Sequence, residues 1–242
     1  MILSDRDIKR EIKEGGIFIA PFNEACVQPA SIDLHLGRHF LVFNTSENFV
    51  IDVKEPTDNL MRELSIDGDT PFILHPKEFA LGMIAEEIGV SNKIVGRLEG
   101  KSSLGRLGLV IHTTAGYLDP GNRLKMTLEL FNAGTLPIKL YTNMPIGQMA
   151  FEYLASPCEK PYGTDSLHSK YYHDDKPVAS KMYLNFQKTE VIATKTIMHA
   201  EQTTLAAVAT DAFDITHARG FGKYHAKNQA SASGGMLFAD IK

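Results

Sequence analysis

The chain has 242 residues, with 25 basic and 29 acidic side chains, for a formal net charge of −4. Its 43% hydrophobic and 22% charged residues supply enough apolar surface for a core and exclude a disordered chain, and at ~150 residues per domain the length predicts one large domain, or one domain with an appendage. No stretch approaches the ~18 uninterrupted apolar residues of a membrane span. The opening MILSDRDIKREIKEGG is charged where a signal peptide is apolar, and Cys26 and Cys158 are too few for a disulfide scaffold or a Cys-rich zinc site. Mild acidity speaks against a general nucleic-acid binder. A soluble, cytoplasmic protein with no nucleic-acid or membrane partner is expected.

In chain order, residues 4–14 predict a short helix. Ser4 caps it, Asp7 follows three residues on, Ile8 and Ile12 share a face, and Gly15-Gly16 stops it. From about 17 to 155 the chain breaks into short apolar runs bounded by turn residues: Ile17-Phe18-Ile19, Ser31 to Leu36, Phe72-Ile73-Leu74, Phe79 to Met83, Thr127 to Phe131 and Ile138 to Tyr141. Runs of this length predict strands in a sandwich or barrel. Strands do not alternate with helices, which speaks against a doubly wound α/β fold. Residues 156–188 are polar and aromatic with little periodicity and read as a segment draped over a neighbour. Residues 189–242 turn Ala-rich and read as an appendage of unknown role, with a weak helix signal at Ala200–Ala209. His199, His217 and His225 in it match no standard metal-site spacing.

The stretch from Arg97 to Asn132 carries the chemistry. Gly100, Gly105 and Gly108 flank two serines and the cations Lys101 and Arg106. Glycines permit close backbone approach, hydroxyls and amides donate, and cations neutralise charge, a combination that suits phosphate. The spacing is not that of a P-loop, and GKSSLGR by itself is more often a solvated turn. Glu129, between Leu128 and Leu130, points to the opposite face of its strand from both. By itself it reads as an outward-facing glutamate on a half-exposed strand.

GKSSLGRLGL, HTTAGYLDPG and TLEL, in this order and spacing, resemble the dCTP deaminase family, relatives of the trimeric dUTPases. NMPIGQMAF resembles that family's closing strand and QPASIDLHLG its N-terminal signature; SDRDI, PFILHP, KPYG and SKY also fit. The likeness spans about residues 1–188. It implies a mainly β fold, a distorted jelly-roll-like β barrel of the dUTPase-like type with a short N-terminal helix, assembled as a homotrimer with active sites between subunits. Residues 156–188 become a flap closing over bound nucleotide.

The resemblance implies zinc-independent deamination of dCTP. Zinc deaminases carry H-x-E followed by a P-C-x-x-C motif; here His199-Ala200-Glu201 is followed by no cysteine. A carboxylate must then make the nucleophile. By family match Glu129 activates water for attack at C4 of cytosine and shuttles the proton, with a pKa expected to be raised in a dry pocket. Ser102 and Arg106 match the other essential residues, and the backbone of Ala115 completes the water site. Thr127, Leu128 and Glu129 read the base edge with main-chain groups. Lys101, Ser103, Leu104, Gly105, Gln148, Tyr162, Lys170 and Tyr171 match nucleotide-binding positions, most of them for the triphosphate, which would bring Mg²⁺.

Some family members release dUTP, whereas others hydrolyse it to dUMP and pyrophosphate. The second kind reads T-A-G-aromatic, and here Thr114-Ala115-Gly116-Tyr117 implies dUMP formation. Asp119 takes the place of the acid that binds the sugar 3′-hydroxyl and assists the second attacking water. Three departures stand out. Asn122-Arg123-Leu124 replaces an aromatic, any residue and glycine, which lessens apolar contact with the deoxyribose and changes the hairpin. Arg123 reads as solvated surface, with a phosphate contact as the alternative. Asp174 stands where the family has a glutamine, and its charge repels a triphosphate unless metal or Lys176 intervenes. The alternatives are a deaminase that stops at dUTP, a dUTPase without deaminase activity, and a nucleotide-binding regulator that has lost turnover.

Overall fold

Ser4 caps the first helix through its side chain. Its Oγ accepts from the Asp7 N–H at 3.4 Å and donates to the Asp7 carboxylate at 3.1 Å, so α1 (Asp5–Glu14) opens with an orphan donor satisfied. Gly15 closes it at φ 82°, in the left-handed region that favours glycine. The computed structural model describes residues 1–47, 49–114 and 116–187. Ala115, the expected helix at Ala200–Ala209, His199, His217, His225 and the rest of 189–242 lie outside the described residues.

Fifteen strands run through the described residues. In chain order they are β1 (Ile17–Ala20), β2 (Val27–Gln28), β3 (Ser31–His35), β4 (His39–Phe43), β5 (Met61–Ser65), β6 (Phe72–Leu74), β7 (Phe79–Met83), β8 (Glu87–Val90) and β9 (Ile94–Gly100). After the short helix α2 (Ser102–Gly105) come β10 (Leu109–Val110), β11 (Tyr117–Leu118), β12 (Arg123–Leu124), β13 (Thr127–Asn132), β14 (Ile138–Leu140) and β15 (Pro145–Tyr153). The fold is mainly β, and each run read from the sequence as a strand falls on a strand.

Two five-stranded antiparallel sheets, ordered β10-β13-β7-β4-β5 and β11-β9-β15-β3-β2, share one core as a distorted jelly-roll-like barrel. A three-stranded sheet, β1-β8-β12, and the pair β14-β6 flank them. The first sheet sends in Phe40, Val42, Ala80, Leu128 and Leu130; the second sends in Ile32, Leu34, Leu98, Met149 and Phe151. This alternation with period two fixes which residues face outward. On the first sheet those include Phe43, Phe79, Leu81, Thr127 and Glu129.

Candidate active site

Leu128 and Leu130 have no exposed surface, so β13 is anchored on both sides of Glu129 and the carboxyl can only face outward. It opens into a cavity of about 530 Å³, within the range of ~300–1,000 Å³ common for small-molecule sites. Neighbouring strands build an apolar floor from Phe43, Phe79 and Leu81, with the Phe43 and Phe79 rings 6.0 Å apart. Thr127, Glu129, His112, Tyr117, Asp119 and Asn122 add polar groups to the wall.

Tyr162, Tyr171, Asp174, Val178 and Ser180 supply the cover. It is tied down along its length. Tyr162 N–H donates to the Pro120 carbonyl at 2.8 Å and Lys125 N–H to the Asp174 carbonyl at 2.9 Å. The Thr57 hydroxyl donates to the Ser180 carbonyl at 2.6 Å. Within the cover, Tyr171 N–H donates to the Tyr162 hydroxyl at 3.2 Å, and Lys181 N–H donates to the Tyr171 hydroxyl at 2.9 Å.

The electrostatics of the cavity correct one expectation. Burial pushes the Glu129 carboxyl up, but the donors facing it more than offset this, and its pKa lies below the ordinary glutamate value. Thr113 N–H and Oγ1 both donate to Oε2, at 2.9 and 2.8 Å, Thr114 N–H adds a further bond, and His112 contributes positive charge. Hydrogen bonds to the charged form outweigh desolvation, so Glu129 rests ionised. The other two acids behave in the opposite way. Burial raises the Asp119 carboxyl; burial also raises Asp174, against an opposing pull from Lys181. Burial likewise raises the Tyr162 hydroxyl.

Of the residues singled out in the sequence, the cavity brings together Glu129, Thr127, Asp119, Tyr117, Tyr162 and Tyr171. Leu128 turns its side chain into the core and offers only main chain. Gly116 is packed beneath the cavity wall: its carbonyl accepts from Leu98 N–H at 2.7 Å, and an added Cβ would lie 3.1 Å from His112 Cε1. Lys170 lies in an adjoining cavity of about 430 Å³ that shares Asp119, Tyr162 and Tyr171 with the first. Ser102, Ser103, Gly105 and Arg106 sit exposed on and after α2, with Leu104 half-buried beside them. They do not line the Glu129 cavity. Lys101 and Gln148 are on the second sheet's side, where Lys101 Nζ bonds Asp33 at 2.7 Å and Gln148 Oε1 accepts from Ser31 at 3.0 Å.

The departures from the family pattern also take shape. Arg123 keeps a side chain 43% exposed, but its guanidinium is already engaged: its Nε and Nη2 donate to Glu87 at 2.7 and 3.3 Å, and it lies 3.3 Å above the Phe18 ring. Leu124 is buried on the cavity wall, in the β12 pairing with β8. Asn122, only 6% exposed, accepts from Arg123 N–H through Oδ1 at 2.8 Å. The cation beside Asp174 is Lys181, at 3.6 Å, whereas Lys176 is exposed. Thr113, His112, Asp33 and Ser31 were not picked out from the sequence. The first two lie within the HTTAG run and the last two within SIDL, so the motifs contained them, but their partners are far along the chain.

A carboxylate ionised at rest thus faces an apolar-floored cavity with Tyr162 and Tyr171 on its cover. A family model described as dCTP deaminase-like matches residues 2–154. The dCTP deaminase, dUMP-forming, of Leifsonia xyli subsp. xyli is 47% identical over 195 residues, covering 81% of this chain and 97% of that protein. The protein of the same name from Corynebacterium kroppenstedtii is 50% identical over 187 residues, 77% of this chain and 100% of the relative; the rest of this chain has no counterpart there. Among solved structures, the 2′-deoxycytidine 5′-triphosphate deaminase of Agrobacterium tumefaciens superposes with a TM-score of 0.51 at 20% identity, covering 63% of this chain and 48% of that one. The fold is therefore of the dUTPase-like kind that the dCTP deaminases share. This chain belongs to the dCTP deaminase-like family.

Proposed function

We propose that the protein is a cytoplasmic homotrimer that deaminates dCTP and hydrolyses the resulting triphosphate, giving dUMP, ammonia and pyrophosphate. The observation that carries this reading is Glu129, ionised and strand-anchored in a partly open cavity, in a chain 47–50% identical to proteins named dCTP deaminase, dUMP-forming.

Glu129 takes a proton from water, whose oxygen bonds to C4 of cytosine. The same carboxyl delivers that proton to N3, then carries the proton of the new C4 hydroxyl to the exocyclic amine, so that the C4–N bond breaks, ammonia leaves and a carbonyl remains. The lowered pKa keeps Glu129 ionised at neutral pH, so that it is in the form that accepts a proton, although as a weaker base than an ordinary glutamate. Ser102 and Arg106 hold the water, the ring and the carboxylate, and the main chain at Ala115 completes the water's contacts. Because α2 is exposed and outside the cavity, we assign these residues to the site of a neighbouring subunit. Leu107, 62% exposed, and Tyr117, 61% exposed, support such an apposition. Asp119 then binds the 3′-hydroxyl and assists water attacking the α-phosphorus, with pyrophosphate leaving.

Among the described residues no three His, Cys, Asp or Glu side chains converge as a metal cage. Mg²⁺ carried by the triphosphate requires none, since phosphate oxygens and waters fill most of its shell. When bound, it neutralises charge on the phosphates, and Lys101, Gln148, Tyr162 and Lys170 orient the chain around them.

The test is purified protein with dCTP and Mg²⁺, followed by chromatography and an ammonia assay. The expected products are dUMP, pyrophosphate and ammonia, with Glu129→Gln slowed by at least ~10²-fold. Accumulation of dUTP alone points to the single-step deaminase, and no ammonia from the wild type overturns the reading in favour of a regulator. Running CTP alongside reads the effect of Asn122 on sugar selectivity.

A further inference from the structure

The outer face of the β11-β9-β15-β3-β2 sheet carries a group of polar side chains in neighbouring strands. In β3, Ile32 and Leu34 enter the core, and Ser31 and Asp33 take the opposite face. Asp33 stands directly across from Gln148 of β15, which stands across from Glu99 of β9; Lys101 leaves β9 one residue past its end.

Two separate contacts fix this corner. Lys101 Nζ donates to Asp33 Oδ1 at 2.7 Å, and Gln28 Nε2 donates to Oδ2 at 3.4 Å, so both carboxylate oxygens are engaged. The pair is well shielded for one between charged side chains, with side-chain exposures of 25% and 16%. Independently, the Ser31 hydroxyl donates to Gln148 Oε1 at 3.0 Å. With its oxygen engaged, what Gln148 can offer a ligand is its Nε2 donors. An ammonium carries three donors, and Asp33 uses one of them.

We infer that Asp33 and Ser31 are positioning residues of a polyphosphate subsite: Asp33 holds the Lys101 ammonium and Ser31 turns the Gln148 amide, so that both present donors to the phosphate chain. This rests on the assignment of Lys101 and Gln148 to the triphosphate made above. A lysine on a flexible stem is a poor fixed donor unless something holds it. An amide with free rotation presents an oxygen to an anion as readily as a nitrogen. Each positioning residue removes one of these freedoms before the ligand arrives, which lowers the cost of ordering on binding. The carboxylate of Asp33 does not repel the ligand, because Lys101 neutralises it at contact distance.

The experiment compares dCTP with deoxycytidine, which lacks the phosphates, by titration calorimetry on the full chain. Variants are Asp33→Asn, Lys101→Met, Ser31→Ala, Gln148→Met and the two paired doubles. Loss of a held charged donor is expected to lower the preference for dCTP over deoxycytidine about tenfold in Asp33→Asn. Asp33→Asn on top of Lys101→Met, and Ser31→Ala on top of Gln148→Met, should each add nothing further. Tighter or unchanged dCTP binding in Asp33→Asn, or full additivity in both doubles, overturns the inference. If Asp33→Asn does not fold, the Ser31 and Gln148 cycle carries the test. A wild type that does not deaminate dCTP sinks the functional reading; a wild type that does, with additive cycles, sinks only the positioning role.

Discussion

At the scale of single residues, the balance at Glu129 decides how the site works. Burial alone would raise the carboxyl's pKa, yet Thr113 and Thr114 turn three donors toward it, and His112 adds positive charge. The rise of kcat/KM with pH reports deprotonation of the base in the free enzyme, so it should lie below the ordinary glutamate value. Thr113→Val keeps the volume and removes the Oγ1 donor, which favours the charged form. The pKa then climbs, and the acid limb of the kcat/KM profile should move to higher pH; a limb that stays in place would show that Thr113 does not set the balance. The sign for stability is consistent with this. A depressed folded-state pKa contributes stability that is present above the unfolded value and lost as pH falls through the folded one, and the variant gives up part of it.

At the scale of elements, β13 and the loop before β11 divide the labour. β13 aims Glu129 by alternation, which is why that residue's direction could be read from Leu128 and Leu130 alone. The loop sets the clearance behind it. Gly116 has Leu98 O within 3.2 Å and His112 Cε1 within 3.1 Å of where a Cβ would stand, so a side chain there needs His112 or the Leu98 carbonyl to give by a few tenths of an ångström. Gly116→His is expected to let dUTP accumulate beside dUMP while slowing deamination, as followed by product chromatography. Product that remains wholly dUMP would separate this glycine from the second step. Six of the fifteen strands, the face that Glu129 takes and the capped helix were legible, because each depends on a local period or a neighbouring residue. The sign of the Glu129 shift was not, because Thr113 lies 16 positions away on another element. Nor was the Lys101 and Asp33 pair, which spans 68 positions. A pattern within one strand shows which way a side chain points but not which donor meets it across a barrel.

At the scale of the whole molecule, the described residues gather a base and a cover in one cavity and leave Ser102 and Arg106 exposed elsewhere. If subunits complete each other's sites, two defective chains should repair one another. Mixing Glu129→Gln with Ser102→Ala, each inactive as purified, and allowing exchange should restore activity in about a quarter of sites, because a head-to-tail interface draws one residue from each neighbour. Mixtures as inactive as their components would put both residues in a single chain's site. The family resemblance supplied this division of roles from motifs, since no periodicity in GKSSLGR distinguishes a donor loop from a solvated turn.

The cover has a mechanical consequence. The chain runs from Ser180 through Lys181 to Gln187, where the described residues end. Its attachments along that path include Thr57 on the Ser180 carbonyl at 2.6 Å, Lys181 on Tyr171, on the Lys170 carbonyl and on Asp174 at 3.6 Å, and the Lys54 ammonium 5.6 Å from the Phe186 ring. Tension applied beyond Gln187, by a tether or by cargo fused there, would reach these bonds before any strand of the two sheets, and would lift the roof from the chamber while its floor stayed in place.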